Sequence, residues 1–202
     1  MKQPSQQPKK SEKMTREFTA EFREVEDKER TYILSFSSEL PYNRWWGPEI
    51  LDHSDGAVDL TRLNEIGVLL FNHDRNKIMG KINRAWIEDN RGKAEVVFDA
   101  DEESEMIYQK VKSGTLKGTS VGYQVEDWEE VMPNKQSADG KYAGPCSIAR
   151  KWAPYEISIV SVPADPSVGV GRSAEGGADT AVYETYARQL QYNFNLLQGG
   201  TT

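Results

Sequence analysis

Leu116-Lys117-Gly118-Thr119-Ser120-Val121-Gly122-Tyr123-Gln124-Val125-Glu126-Asp127-Trp128 carries the most architectural information in this chain. Its first half spells G-x-S-x-G, the pattern of the α/β-hydrolase nucleophile elbow. That elbow needs a strand before the serine and a helix after it. After Ser120, however, apolar and polar residues nearly alternate, which is the period of a strand. The hydrolase triad also runs serine, acid, histidine. Both histidines, His53 and His73, precede Ser120. If Ser120 is a nucleophile, the order is His then Ser, on a different fold.

The same strand period appears on either side of this segment. Phe18, Ala20 and Phe22 alternate with polar residues and predict a strand over Phe18 to Val25. Further strands are predicted over Thr31 to Phe36, Gly67 to Phe71, Met79 to Ile87, Lys93 to Phe98 and Trp152 to Val162. Asp89-Asn90-Arg91-Gly92 supplies turn chemistry between two of them. Val58 to Glu65 reads as a short helix. Glu102 to Lys112 is the clearest one, with acids in its first turn, Lys110 and Lys112 near its end, and Met106, Ile107 and Val111 as its apolar residues. Pro41 to Gly56 reads as a long, partly packed loop, with Trp45 and Trp46 packing over the body. Pro133 to Gly144 reads as a polar loop. Many short strands with an embedded helix predict an α+β protein, mainly an antiparallel β-barrel with packed helices.

The length suits one domain with tails. Residues 1–16 hold Lys2, Lys9, Lys10, Lys13 and Arg16 against a single acid, Glu12, and read as a disordered basic arm. Residues 17–172 form the predicted main domain. Residues 173–182 read as a small-residue linker. Residues 183–202 read as an amphipathic helix or tail, with Tyr183, Tyr186, Ala187, Leu190, Phe194 and Leu197 as its stripe. The overall charge is −7, and the arm is basic, so the body is strongly acidic. That argues against a nucleic-acid surface. A single cysteine, Cys146, allows no intrachain disulfide and fits a reducing compartment. No apolar run has the length of a membrane span, and the N-terminus lacks the apolar core of a signal peptide. These features predict a cytosolic protein without membrane association.

Three residues offer the parts of an acyl-transfer site. Ser120 could be a nucleophile, or only a small residue in a Gly-rich strand. His73, at a strand end before Asp74, could be a base, or structural. Glu156 lies within an apolar strand, where a carboxylate is costly unless paired or hydrogen-bonded; on an edge strand it would face water. Nucleophile, base and orienting acid together follow the logic of serine-dependent acyl transfer. Asp74 competes for the acid role, although neighbours on an extended segment point to opposite faces and only a turn would let it reach His73. Cys146 lies in a loop-like stretch without a motif and reads as an inert thiol. His53 sits in polar company, but two histidines and one cysteine without ligand spacing predict no metal site and no cofactor.

Val68-Leu69-Leu70-Phe71-Asn72-His73-Asp74 with Met79-Gly80 resembles the histidine motif of tailed-phage prohead (capsid maturation) proteases. Leu116 to Tyr123 resembles their serine motif. Glu156-Ile157-Ser158-Ile159-Val160-Ser161-Val162-Pro163-Ala164-Asp165-Pro166 resembles their closing strand motif. The resemblance covers roughly Arg16 to Arg172. It implies the barrel-and-helix fold of herpesvirus assembly proteases, with Ser120 as nucleophile, His73 as base and Glu156 as the matching third residue. It implies a serine endopeptidase that cleaves the scaffolding segment of the major capsid protein and itself, inside the procapsid in the host cytoplasm, with a homo-oligomer as one arrangement. By analogy, the segment Arg150-Lys151 is a candidate for the oxyanion hole. The rival functions are a non-catalytic scaffold or capsid-interior protein on the same fold, or a serine esterase of another fold.

Overall fold

The protein is described from a computed structural model covering residues 12–20, 22–44 and 46–162. In chain order its strands are β1 (Lys13–Thr19), β2 (Arg23–Glu24), β3 (Thr31–Ser38), β4 (Tyr42–Arg44), β5 (Gly47–Leu51), β6 (Val68–Phe71), β7 (Asp74–Glu88), β8 (Arg91–Phe98), β9 (Gly118–Val131) and β10 (Cys146–Val160). Two helices interrupt them: α1 (Thr61–Ile66) between β5 and β6, and α2 (Glu102–Lys112) between β8 and β9. All ten strands join one sheet, in the order β1-β9-β10-β6-β7-β8-β3-β2, with β5 pairing β10 and β4 pairing β5.

The antiparallel pair β9 and β10 is the spine, running from Cys146 opposite Val131 to Val160 opposite Gly118. On its other edge β10 takes β5 and β6 in parallel. The chain is mainly β, as expected, but the sheet is an open path and not a closed barrel. The strands next to its two ends meet through a side chain: Thr119 Oγ1 on β9 donates to the Ser35 carbonyl of β3 at 3.2 Å. A side-chain bond of this kind brings strands together without completing a ladder.

Strand alternation builds the core. Val121, Tyr123 and Val125 of β9 face inward against Phe36, Leu69, Trp152 and Ile157, all buried. Helix α2 forms because Asp101 caps it, accepting from the Glu103 and Ser104 amides at 3.1 Å each, a contact that stabilises a helix by about 1 kcal/mol. Its buried face is Ile107, Tyr108 and Val111, while Met106 is exposed. The inward stripe keeps the predicted Ile107 and Val111 and takes Tyr108 in place of Met106, because Tyr108 packs edge-on or tilted against Tyr32 and Phe98.

Two predictions near the N-terminus need correction. Lys13 to Arg16 belong to β1 and not to a disordered arm. Arg16 is 2% exposed, lies between the rings of Phe18 and Tyr42, and donates from Nη2 to the Leu40 carbonyl. Basic composition suggested solvation, whereas strand alternation with Met14 and Phe18 takes Arg16 inward. The strand expected over Phe18 to Val25 is split into β1 and β2. Likewise, the loop expected over Pro41 to Gly56 contains the hairpin of β4 and β5, whose Glu49 is fully buried and accepts hydrogen bonds from Tyr123 and Arg44. Residues 1–11, Glu21, Trp45, and everything from 163 onward, including the predicted linker and tail, lie outside the described residues. Among the described residues, no helix is long and apolar enough to cross a membrane.

Candidate functional site

The site begins with a hairpin. Strands β6 and β7 close from Phe71 to its partner Asp74, leaving Asn72 and His73 as the two turn residues. Both have left-handed backbones, φ 50° and 60°. That is the geometry of a two-residue type I′ turn, which favours Asn followed by Gly. The turn is tied to β10 and the residue after it by three contacts. The Asn72 amide donates to the Ile159 carbonyl at 2.9 Å, Asn72 Oδ1 accepts from the Ser161 amide at 3.0 Å, and the His73 amide donates to Ser158 Oγ at 3.2 Å. A side chain is thereby fixed at the strand end by backbone that only tolerates a non-glycine residue there.

The His73 imidazole meets Glu156. Its Nδ1 lies 2.5 Å from Glu156 Oε1, and the second oxygen, Oε2, accepts from Ser158 Oγ at 2.8 Å. The His73 side chain is 27% exposed and that of Glu156 10%. The hydrogen bond to Glu156 raises the pKa of His73 above its ordinary 6.5, outweighing the downward effect of burial, with the Glu156 and Glu17 charges adding to the rise. Asp74 is occupied elsewhere: its Oδ1 accepts from the Asn76 amide at 2.9 Å. The turn orients His73 toward β10 and not toward its neighbour in sequence.

Ser120 lies in the middle of neither a turn nor an elbow. It is the third residue of the long strand β9, fully buried, and directly opposite Ser158 of β10. On its other side it faces Glu17 of β1, and its hydroxyl donates to the Arg16 carbonyl at 3.0 Å. Among the described residues, His73 Nε2 has no hydrogen-bond partner, and it is buried. The structure thus joins His73 to Glu156 directly and sets Ser120 across one ladder rung from the serine that touches both. The Ser120 hydroxyl itself is turned to β1.

Gly122 explains the second glycine of the G-x-S-x-G stretch. It pairs with Glu156, and a Cβ there would lie 2.5 Å from Glu156 Oε1 and 2.7 Å from ring carbons of Tyr155. The glycine makes room for the carboxylate, not for a helix. Gly122→Ala should therefore push Glu156 or Tyr155 aside. We expect a loss of about 1–3 kcal/mol in stability from overpacking and a weakened contact between Glu156 and His73. Thermal unfolding and an NMR titration of His73 would check both, and an unchanged His73 titration would mean that Gly122 does not hold the carboxylate in place.

The remaining candidates have structural settings. His53 is buried, with Nε2 2.7 Å from Ser37 Oγ, Nδ1 2.9 Å from the Leu51 carbonyl and its ring edge-on to Trp152. Burial lowers its pKa to about 4, so it is a neutral core residue. Cys146 is buried and its thiol is pushed up to about 11, which leaves no reactive thiolate. Among the described residues no group of side chains could hold a metal ion. Arg150 lies on β10 six residues before Glu156, roughly 20 Å along an extended strand. Its guanidinium is engaged by Asp52, Glu129 and Asp139, so it is remote from His73 and committed to a salt-bridge network.

Sequence reasoning missed Ser158 and Arg16. Ser158 was legible from period-two spacing, because residues 156 and 158 of a strand share a face.

Residues 19–181 match the family described as caudovirus prohead serine protease, and the chain belongs to that family. It is also 38% identical over 151 residues to a protein of Halomonas phage phiHAP-1 named major capsid protein. That match takes in 73% of this chain and 24% of the phage protein, so the chain spans about a quarter of its relative's length. No solved structure matches the chain, and the expected likeness to the herpesvirus assembly protease fold gains no support from that comparison.

Proposed function

We propose that this protein is a serine endopeptidase of phage capsid maturation, with Ser120 as nucleophile, His73 as general base and Glu156 as the acid that orients His73. The observation that carries the reading is the 2.5 Å contact between His73 Nδ1 and Glu156 Oε1, which leaves Nε2 buried and, among the described residues, unpartnered. With Nδ1 holding its proton toward the carboxylate, neutral His73 has its lone pair on Nε2, the tautomer a base requires. Ser120 exchanges the Arg16 carbonyl for Nε2 and attacks the scissile carbonyl carbon, and its proton passes to Nε2. The tetrahedral adduct collapses as His73 returns that proton to the leaving amine. Water then repeats the sequence and releases the acyl group from Ser120.

The substrates are the scaffolding segment of the major capsid protein and the protease itself, inside the procapsid. The family membership supports this, as does a relative that is itself named major capsid protein. The second reading is a non-catalytic capsid-interior protein on the same fold; the Ser120 hydroxyl bonded to β1 instead of His73 favours it.

Co-expression with the capsid protein separates the two, because only a peptidase yields fragments. The rate should also rise with pH through a value above 6.5, because His73 acts only when neutral and Glu156 holds its proton on. A flat profile from mildly acidic to mildly basic pH, with folding unchanged, would remove His73 from the base role.

A further inference from the structure

We infer that Ser158 is a positioning residue of this site, whose hydroxyl locks the Glu156 carboxylate and the His73 backbone into one rigid unit. The inference rests on the serine-peptidase reading above. Ser158 is fully buried on β10, one rung from Ser120 and two residues from Glu156. Its Oγ accepts from the His73 amide at 3.2 Å and lies 2.8 Å from Glu156 Oε2.

These two contacts fix the direction of the network. A hydroxyl has one proton, and a backbone amide can only donate. Since the His73 amide supplies a proton to Oγ, the hydroxyl's own proton goes to Glu156. The carboxylate is then held at both oxygens, by His73 Nδ1 on Oε1 and by Ser158 on Oε2. It cannot rotate away from the imidazole without abandoning a buried hydroxyl. The His73 backbone is tied to the same oxygen, so the imidazole is carried over the carboxylate and only side-chain rotation separates them. A left-handed turn residue needs such over-determination to persist, and Ser158 supplies it from the strand that also carries Glu156.

The role is distinct from that of a serine whose hydroxyl is simply satisfied. It predicts an effect on Ser120 reactivity that depends on Glu156. A fluorophosphonate probe reports this without knowledge of the cleavage site, because it labels an activated serine and loses fluoride as the new P–O bond forms. Ser158→Ala should slow Ser120 labelling by about 10- to 100-fold, the range one hydrogen bond to a charged group spans. Ser158→Thr, which keeps the hydroxyl, should restore the rate to within about threefold. In a Glu156→Gln background, Ser158→Ala should add less than about threefold, because residues acting as a unit are not additive.

Labelling of Ser158→Ala at the wild-type rate, or a full second loss in the Glu156→Gln background, would overturn the role of Ser158 alone. Folded wild-type protein that takes no label at Ser120 would instead overturn the peptidase reading. If Ser158→Ala does not fold, two measurements still decide. A folded Ser158→Thr labelled below one tenth of the wild-type rate would refute the role. So would rapid hydrogen exchange of the His73 amide in the wild-type protein, since the proposed bond requires that amide to be protected.

Discussion

Ser120→Ala should abolish cleavage of the capsid protein while the protein stays folded. Removing the serine or the histidine of a well-studied serine protease costs about 10⁶ in kcat, and a loss of that order puts fragments below detection. The stability change should be small by comparison. Ser120 is fully buried, so alanine fills nearly the same space. What is lost is one hydrogen bond to the Arg16 carbonyl, typically about 0.5–1.5 kcal/mol net. For a domain of this size that is a few degrees in Tm. The change in β1 anchoring is also limited, because Arg16 is held independently by Leu40, Phe18 and Tyr42. Intact mass and thermal unfolding of the variant, co-expressed with the capsid protein, test both halves. Fragments at the wild-type rate would remove Ser120 from the mechanism.

The strand carrying Ser120 was legible because alternation after the serine is incompatible with an elbow helix. The contact between His73 and Glu156 was legible only as a pairing of types, a histidine at a strand end and a carboxylate in an apolar strand. Its geometry depends on β6 lying parallel to β10, with Ile157 opposite Leu69 and Ile159 opposite Phe71. No local pattern encodes a parallel pairing between segments more than 80 residues apart. The buried Arg16 was misread because charge composition alone decided residues 13–16, whereas the period-two set Met14, Arg16 and Phe18 faces inward. The pair β4 and β5 was missed for a similar reason. Pro48 and Glu49 are poor strand residues by propensity, and they are held in place by the Arg44 and Tyr123 side chains bonded to Glu49. Ser158 was within reach of period-two reasoning, because it shares a strand face with Glu156, but its contact with the His73 amide depends on the parallel pairing of β6 with β10.

His73→Gly sets function against backbone preference at one position. The turn geometry there favours glycine, and a non-glycine residue in the left-handed region costs about 1 kcal/mol or more. Histidine is among the more tolerated residues in that region, yet it keeps part of the cost. Removing it should therefore relax the turn while eliminating the base, with a loss of peptidase rate comparable to that of Ser120→Ala. The stability comparison has a definite pH dependence. Folding raises the His73 pKa through Glu156, so protonated His73 stabilises the wild type below its ordinary pKa of 6.5, and this contribution disappears as pH rises through the higher folded value. The glycine variant has no such group. It should gain on the wild type as pH increases from about 6 to 9, closing the gap in Tm and reversing it by a few degrees if the backbone relief exceeds the neutral hydrogen bond to Glu156. Thermal unfolding of both proteins across that window measures the difference directly. A Tm gap that stays constant with pH would mean that His73 and Glu156 do not form a charged pair in the folded protein, and retained cleavage would mean that the base lies elsewhere. An inactive variant that is more stable than the wild type at the alkaline end of that window would place His73 among residues whose backbone strain is retained for function.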